Sequence, residues 1–200
     1  MSTRSTNERS FDFSDFFSLH DPLASRPLRF APLDPTLGGL AVPLSRGELT
    51  FATPIVVQAT MGVQASPFLW STMPPLLLVN DLVITILKEA QFTGWTTYPV
   101  RLLGRKAEEI YGYHGFAVTG RCGELDLKDS RLITIPAPSP KGKSYQVRVG
   151  VYFKPEAWDG SDIFMFSEWG YRIFKRQVVE AFKRAKLKNI SFVPLQDERT

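Results

Sequence analysis

Cysteine is nearly absent from this chain, because Cys122 is the only one among its 200 residues. A single thiol excludes an internal disulfide framework and any zinc site built from several thiolates, and it suits a reducing compartment. Long apolar runs are missing as well. The longest strongly apolar stretch, residues 76–79, is far shorter than the roughly 20 residues of a membrane-spanning helix. The polar first ten residues do not resemble a signal peptide. We therefore expect a cytoplasmic protein without membrane contact.

A large excess of charge is also lacking. Lys plus Arg number 24 and Asp plus Glu 20, a difference too small to indicate nucleic acid or an anionic membrane by itself. Turn formers and aromatics are plentiful instead, with 14 Gly, 15 Pro and 15 Phe, which disfavours an all-helical bundle. A chain of this length can bury enough surface to fold without a disulfide or a metal, so no cofactor is expected.

Prolines are concentrated in the N-terminal third of the chain, with six of them between residues 22 and 54. At that density they predict edge strands and turns, and no helix. Before them, the sequence F-D-F-S-D-F-F at residues 11–17 predicts an amphipathic clip. We therefore divide the chain into a Pro-rich N-terminal arm packed on the domain, residues 1–65, and an α+β domain, residues 66–200. The first ten residues are expected to be disordered.

Apolar periodicity predicts two main helices. The first begins at an N-cap, Asn80 or Asp81, and ends at Gln91, and the second spans residues 175–187. Strands are predicted within 49–57, 68–78, 95–103, 113–119, 131–135 and 145–153, of which the last has the clearest alternation of a half-buried strand. The fold class that follows is a single α+β domain with a mixed or mainly antiparallel sheet.

A weak internal repeat connects the two helices. Aligning residues 77–100 with 172–195, without gaps, matches apolar residues at 11 positions, and about 6 or 7 would be expected by chance from the same binary pattern. Each copy is predicted to form a strand, a short helix, a loop and a strand that ends in Pro99 or Pro194. Duplication of a helix–strand unit is one explanation. Two similar but unrelated units are the other.

No motif indicates an enzyme or a metal site. Residues 137–144 end in Gly-Lys-Ser, but they lack the first glycine of a phosphate loop and precede a predicted strand instead of a helix. His114, Cys122 and Asp126 lie too close in sequence for a typical thiol-protease set, and no nucleophile signature surrounds the cysteine. We read Asp159-Gly160 as the pivot of a turn. Its acidic neighbourhood lacks the spacing of a cation site.

Positive charge is concentrated near the C-terminus. Between residues 165 and 200 there are eight Lys or Arg and four Asp or Glu, a local excess equal to the net charge of +4 of the whole chain. A solvated helix face that complements the helix dipole explains this pattern. An acidic protein partner is the second explanation, and nucleic acid is the third and least favoured.

Residues 113–130, Y-H-G-F-A-V-T-G-R-C-G-E-L-D-L-K-D-S, resemble a central motif of a bacterial immunity-protein family, the immunity-eleven-like family, which is related to the double-CxxCG immunity proteins. Asp126 and Ser130 match the last two positions of that motif. Further similarity lies in Asp162-Ile-Phe, in the second predicted helix and in Phe192-Val-Pro-Leu. The resemblance covers roughly residues 70–196. Because the paired cysteines of the double-CxxCG relatives are reduced here to Cys122-Gly123, it implies no zinc.

This resemblance implies a non-enzymatic cytoplasmic protein that binds and neutralises a cognate toxin domain by direct contact. Aromatic anchors and charge steering would support such binding. A small nucleic-acid-binding or regulatory module that uses the basic C-terminal helix is the alternative, and homo-oligomerisation stays open. The candidate partner-binding residues are Trp158, Asp159, Asp162, Glu168, Trp169, Lys183, Arg184 and Lys186.

Overall fold

The computed structural model describes residues 11–137, 139, 141–168 and 170–200. The α-helices within these residues are α1 (Ala41–Ser45), α2 (Asp81–Glu89) and α3 (Arg176–Arg184), and short 3-10 helices lie at Phe13–Asp15, Pro35–Leu40, Pro155–Ala157 and Leu195–Asp197. The strands are β1 (Phe16–His20), β2 (Arg29–Pro32), β3 (Ile55–Met61), β4 (Phe68–Ser71), β5 (Leu77–Asn80), β6 (Trp95–Tyr98), β7 (Val100–Leu103), β8 (Glu109–Ile110), β9 (Tyr113–Val118), β10 (Gly120–Arg121), β11 (Arg131–Ile135), β12 (Tyr145–Val149), β13 (Ile163–Met165), β14 (Arg172–Lys175) and β15 (Ser191–Pro194). None of the described helices has the length and apolar character needed to cross a membrane.

The strands form two main sheets and a separate two-stranded ribbon. The larger sheet has the order β6-β9-β5-β4-β2-β3-β7-β8, the smaller has the order β10-β13-β14-β1-β15, and the ribbon consists of β11 and β12. Most neighbours are antiparallel, but β2–β4, β3–β7 and β10–β13 are parallel. The predicted single α+β domain with a mixed sheet is therefore confirmed.

Three apolar cores follow from the alternation of side chains along the strands. The central core lies between the two main sheets and takes Phe68 and Trp70 from β4 together with residues of α2 and α3. Leu69, between them in sequence, faces a second core on the other side of the larger sheet. In β14 of the smaller sheet, Phe174 faces the central core and Ile173 a third core. Strands buried on both faces explain the continuous apolar runs of the sequence.

The internal repeat corresponds to a structural repeat. The first unit is β4-β5-α2-β6 and the second is β13-β14-α3-β15. Adding 95 to the residue numbers of β5 and α2 gives the bounds of β14 and α3. The same shift converts the residue pairs between β4 and β5 into those between β13 and β14. The ends of the two helices also correspond, because Gln91 has a φ of 54° and Lys186 a φ of 53°. Left-handed residues at this position end many helices.

The central strand of each unit comes from outside that unit. β9 lies between β5 and β6, and β1 lies between β14 and β15, each antiparallel to both neighbours. The registers correspond: Gly115 is opposite Leu78 in one unit, and Ser18 is opposite Ile173 in the other. Because β1 precedes the first unit in the chain and β9 precedes the second, the two units exchange their first strands.

The N-terminal segment differs from its prediction in two ways. Its described part supplies β1 to the smaller sheet and β2 and β3 to the larger one, so these three strands are built into the sheets instead of packing on them as an arm. The absence of helices predicted for residues 22–54 is wrong, because Pro35–Leu40 and α1 lie there. Pro35 and Pro43 lie in the first turns of these helices, where a missing backbone N–H breaks no helical hydrogen bond. The expected disorder of residues 1–10 lies outside the described residues.

The other predicted elements agree with the structure in type more closely than in extent. The first helix is capped by Asn80, whose side-chain oxygen accepts from the backbone N–H of Val83 at 3.2 Å, and it ends two residues earlier than predicted. The second also ends early, at Arg184. The strand predicted at 145–153 ends at Val149 in the structure. The ribbon that it forms with β11 exposes Leu132 and Tyr145, and the alternating apolar residues of β12 reach the core only at Val149.

Candidate functional site

The aromatic candidate Trp158 packs mainly inside the protein. It is half-buried, its ring lies 5.3 Å from that of Phe16 and 5.4 Å from that of Phe164, and its Nε1 donates to the carbonyl of Ser161 at 3.1 Å. The neighbouring candidate Trp169 lies outside the described residues. Trp158 therefore serves the third core and presents little of its ring to a partner.

The two acidic candidates of the same loop bind groups of their own chain. Asp159 accepts from the backbone N–H of Arg121 at 2.8 Å and of Ser161 at 3.0 Å, which forms the turn predicted there. Asp162 accepts from the backbone N–H of Thr93 at 2.9 Å and lies 3.3 Å from Nζ of Lys175. Burial works to raise the pKa of both carboxyls, but these hydrogen bonds outweigh it and hold each pKa below its usual value. Both side chains are structural connections.

The remaining candidates are exposed. Glu168 lies in the loop between β13 and β14. Lys183 and Arg184 end α3, and Lys186 and Lys188 follow them. We call these four cations the basic patch.

No member of the basic patch forms an ion pair within the described residues, although Lys175 and Arg176 at the other end of α3 are paired with Asp162 and Asp15. At the corresponding positions, the first unit carries Lys88, Glu89, Gln91 and Thr93. The charge is therefore a feature of the second unit alone.

A cleft of about 440 Å³ lies where the two units meet. The first unit contributes Trp70, Pro75 and Leu76 to its lining, and the second contributes Arg172, with Tyr171 just before it. Leu76 and Tyr171 occupy corresponding positions before β5 and β14, so the two β-hairpins face each other across the cleft. Most of the lining surface is apolar.

Arg172 is the most unusual residue of this cleft. Only 5% of its surface is exposed, its Nη2 donates to the carbonyl of Pro75, and its buried Nε has no hydrogen-bond partner in the described part of the chain. No carboxylate forms a salt bridge with it among those residues. Burial lowers the pKa of Arg172 to about 10. A buried cation without an acidic partner is expensive in free energy.

A cluster of Ser18, His20 and Glu198 borders the same cleft. Nε2 of His20 lies 2.9 Å from Oγ of Ser18 and 2.7 Å from Oε2 of Glu198, and Ser18 also contacts Glu198. The hydrogen bond to Glu198 raises the pKa of His20. Burial works to raise the pKa of Glu198, but its bonds to His20 and Ser18 hold it below the usual value.

No protein-family model matches this chain, and no curated protein matches it either.

The geometry around His20 does not provide a catalytic relay. In a hydrolytic triad the imidazole uses one ring nitrogen for the hydroxyl and the other for the acid. Here the same Nε2 faces both Ser18 and Glu198. The cluster instead ties β1 to the C-terminal segment with a part-buried ion pair.

The cleft and its charged residues escaped the sequence analysis. Arg172 was counted only among the basic residues of the C-terminal region, and His20 and Glu198 are separated by 178 residues. One signal was present in the repeat. Arg172 aligns there with Leu77, so that a charge replaces an apolar residue at a position that the repeat marks as buried.

Proposed function

We propose that this chain is an immunity protein, which binds a cognate toxin domain in the cytoplasm and neutralises it by direct contact. The basic patch is the observation that carries the proposal. Four exposed cations lie within six residues, and none forms an ion pair within the described part of the chain. The resemblance of residues 70–196 to immunity proteins supports it independently.

The chemistry of the patch defines the partner surface. Exposed cations steer association with an acidic surface and raise its rate at low ionic strength. Three members of the basic patch, Lys183, Arg184 and Lys186, are, together with Glu168, the candidate partner-binding residues that face solvent. The proposal therefore assigns contact with the toxin to the C-terminal end of α3, and it gives Trp158, Asp159 and Asp162 no direct role in binding. Inhibition by contact needs no catalytic group.

Co-expression tests this function. The chain is produced together with the C-terminal domain of each large protein encoded beside its gene, and cell survival and co-purification are scored. We expect one domain to be toxic alone, and to be tolerated and co-purified with this chain. The immunity function is contradicted if no neighbour is toxic, or if toxicity persists although this chain is folded and abundant.

A matched pair of variants tests the surface. The patch variant carries Lys183→Gln, Arg184→Gln and Lys186→Gln. The control carries Arg131→Gln, Lys141→Gln and Lys143→Gln, which removes three exposed charges from the ribbon and the loop at its tip. We expect the patch variant alone to bind the toxin at least tenfold more weakly, because loss of complementary charge slows association. Equal binding by both variants would remove the patch from the interface.

The same patch supports a second candidate function, nucleic-acid binding. If its four cations neutralised four phosphates of a duplex, the logarithm of the binding constant would fall with the logarithm of salt concentration with a slope of about −3.6. Fluorescence anisotropy with a random-sequence duplex measures that slope. A steep slope that the patch variant flattens would favour this candidate over toxin binding.

A further inference from the structure

The cleft between the two units contains a charge that has no counterion within the described part of the chain. Arg172 is 95% buried, and its hydrogen bond to the carbonyl of Pro75 leaves Nε without a partner in the described residues. A buried charge is normally paired or bound to an ion, because desolvation is otherwise uncompensated. The guanidinium is also a planar group with several donors, which suits a carboxylate better than a single carbonyl does.

The acidic residues near the cleft are already engaged. Asp21, which contributes to its lining, holds Arg29 through two contacts of 2.7 Å. Glu198 holds His20 at 2.7 Å. Neither carboxylate forms a salt bridge with Arg172. The negative charge that Arg172 lacks must therefore come from outside the described chain.

The rest of the lining defines the body of the ligand. Leu19, Trp70, Pro74 and Leu76 contribute apolar surface, and the volume of about 440 Å³ is within the usual range for small-molecule sites. Pro74 and Gly170 are exposed, whereas Leu76 and Arg172 are buried, so the charge lies deeper than the rim. A highly charged ligand does not fit this lining, because one cation without a salt bridge in the described residues cannot balance a phosphate dianion beside the carboxylate of Asp21.

We propose that this cleft binds a small monocarboxylate with an apolar body, the carboxylate against Arg172 and the body between Trp70 and Leu76. This site is separate from the basic patch and does not depend on the proposed toxin partner. The structural repeat explains how it arose at this place. The position occupied by Leu77 in the first unit carries the arginine in the second, where the two hairpins leave a space between them.

The test compares an acid with its neutral amide on the unmodified protein. Isothermal titration calorimetry is carried out with 3-phenylpropionate and with 3-phenylpropionamide, which share an apolar body and differ in charge. Octanoate and benzoate extend the series to aliphatic and shorter bodies. We expect at least one acid to bind and to raise the melting temperature, and 3-phenylpropionamide to bind about tenfold or more weakly than 3-phenylpropionate.

Arg172→Met then locates the site, because it removes the charge and keeps an apolar side chain of similar length. We expect the affinity for the acid to fall about tenfold or more, with the circular dichroism spectrum unchanged. Arg131→Met is the control, because it removes an exposed cation that lies outside the lining of the cleft, and it should retain binding. Three outcomes would overturn the proposal: equal affinity for acid and amide, undiminished binding by folded Arg172→Met, or no binding of any of the three acids. The comparison of acid and amide decides the matter even if the variant does not fold.

Discussion

Replacing Arg172 by Met should stabilise the protein when no ligand is present. The guanidinium is buried between the sheets without an acidic partner in the described residues, whereas methionine is apolar and adapts to irregular space. Removal of buried ionic groups in favour of apolar side chains is often neutral or stabilising. Arginine at this position would then be kept for binding at the expense of stability, as at many functional sites.

The magnitude follows from the environment of the guanidinium. Burial lowers the pKa of Arg172 from its usual value to about 10, which corresponds to about 3 kcal/mol against the charged form. Below pH 10 the side chain is charged in both the folded and the unfolded state, so the whole penalty is present at pH 7. The lost hydrogen bond to Pro75 offsets about 1 to 2 kcal/mol. We expect a net stabilisation of about 1 to 2 kcal/mol.

Urea denaturation and thermal unfolding at pH 7 measure this difference. For a chain of this size, the melting temperature should rise by roughly 3–6 °C. Arg29→Met is the matched comparison and should lower the free energy of unfolding instead of raising it. It leaves Asp21, whose side chain is 19% exposed, without its two contacts, and should destabilise the fold by about 1–3 kcal/mol. A destabilisation by Arg172→Met of 1 kcal/mol or more would refute the reasoning, because Arg172 would then be a structural residue.

Three further results are expected. Phe182→Ala should lower the free energy of unfolding by about 3–5 kcal/mol in urea, because the ring is buried against three other aromatic rings, and a loss under 1 kcal/mol would contradict the central core described above. Cys122 should not react with DTNB until the protein unfolds, since burial raises the pKa of its thiol to about 12; rapid labelling of folded protein would be inconsistent with this. His20→Gln should be less stable than the unmodified protein at pH 6. This difference should shrink as the pH rises through the raised pKa of His20, and should persist on acidification until Glu198 is protonated; a difference constant from pH 5 to 9 would argue against the ion pair.

Local patterns in the sequence predicted the two helices of the repeat and the strands that flank them, but not β13. The apolar spacing of α2 and α3 sets which face of each helix is buried. Asn80 caps the first turn of α2 by accepting from Val83, three residues further along the chain. The turn at Asp159-Gly160 was likewise predicted, because the bond that closes it joins Asp159 to the backbone N–H of Ser161, which is only two residues away. These features depend on residues that are close together in the sequence, so the sequence alone is enough to predict them.

Long-range pairing could not be obtained in the same way. The aromatic run that contains β1 was predicted to be a clip, because nothing near Phe16 shows that its partners lie in β14 and β15. The cleft depends on the same pairing, since β1 brings His20 both to Glu198 and into the lining that contains Arg172. The internal partner of an acidic candidate could not be predicted for a related reason. Asp162 is charged and lies in a loop, but Thr93, its donor, is 69 residues away.

The exchange of first strands determines when this protein can complete its fold on the ribosome. Ser18 lies 175 residues from Val193, so the middle of the smaller sheet stays open until the residues up to Val193 have been made. At roughly 5–20 residues per second, that interval is on the order of ten to thirty seconds. During it, β1 presents two unpaired edges, which are templates for pairing with other chains. Cutting the chain between β8 and β9 would give fragments that each lack the central strand of their unit, so neither of these fragments is an independent folding unit.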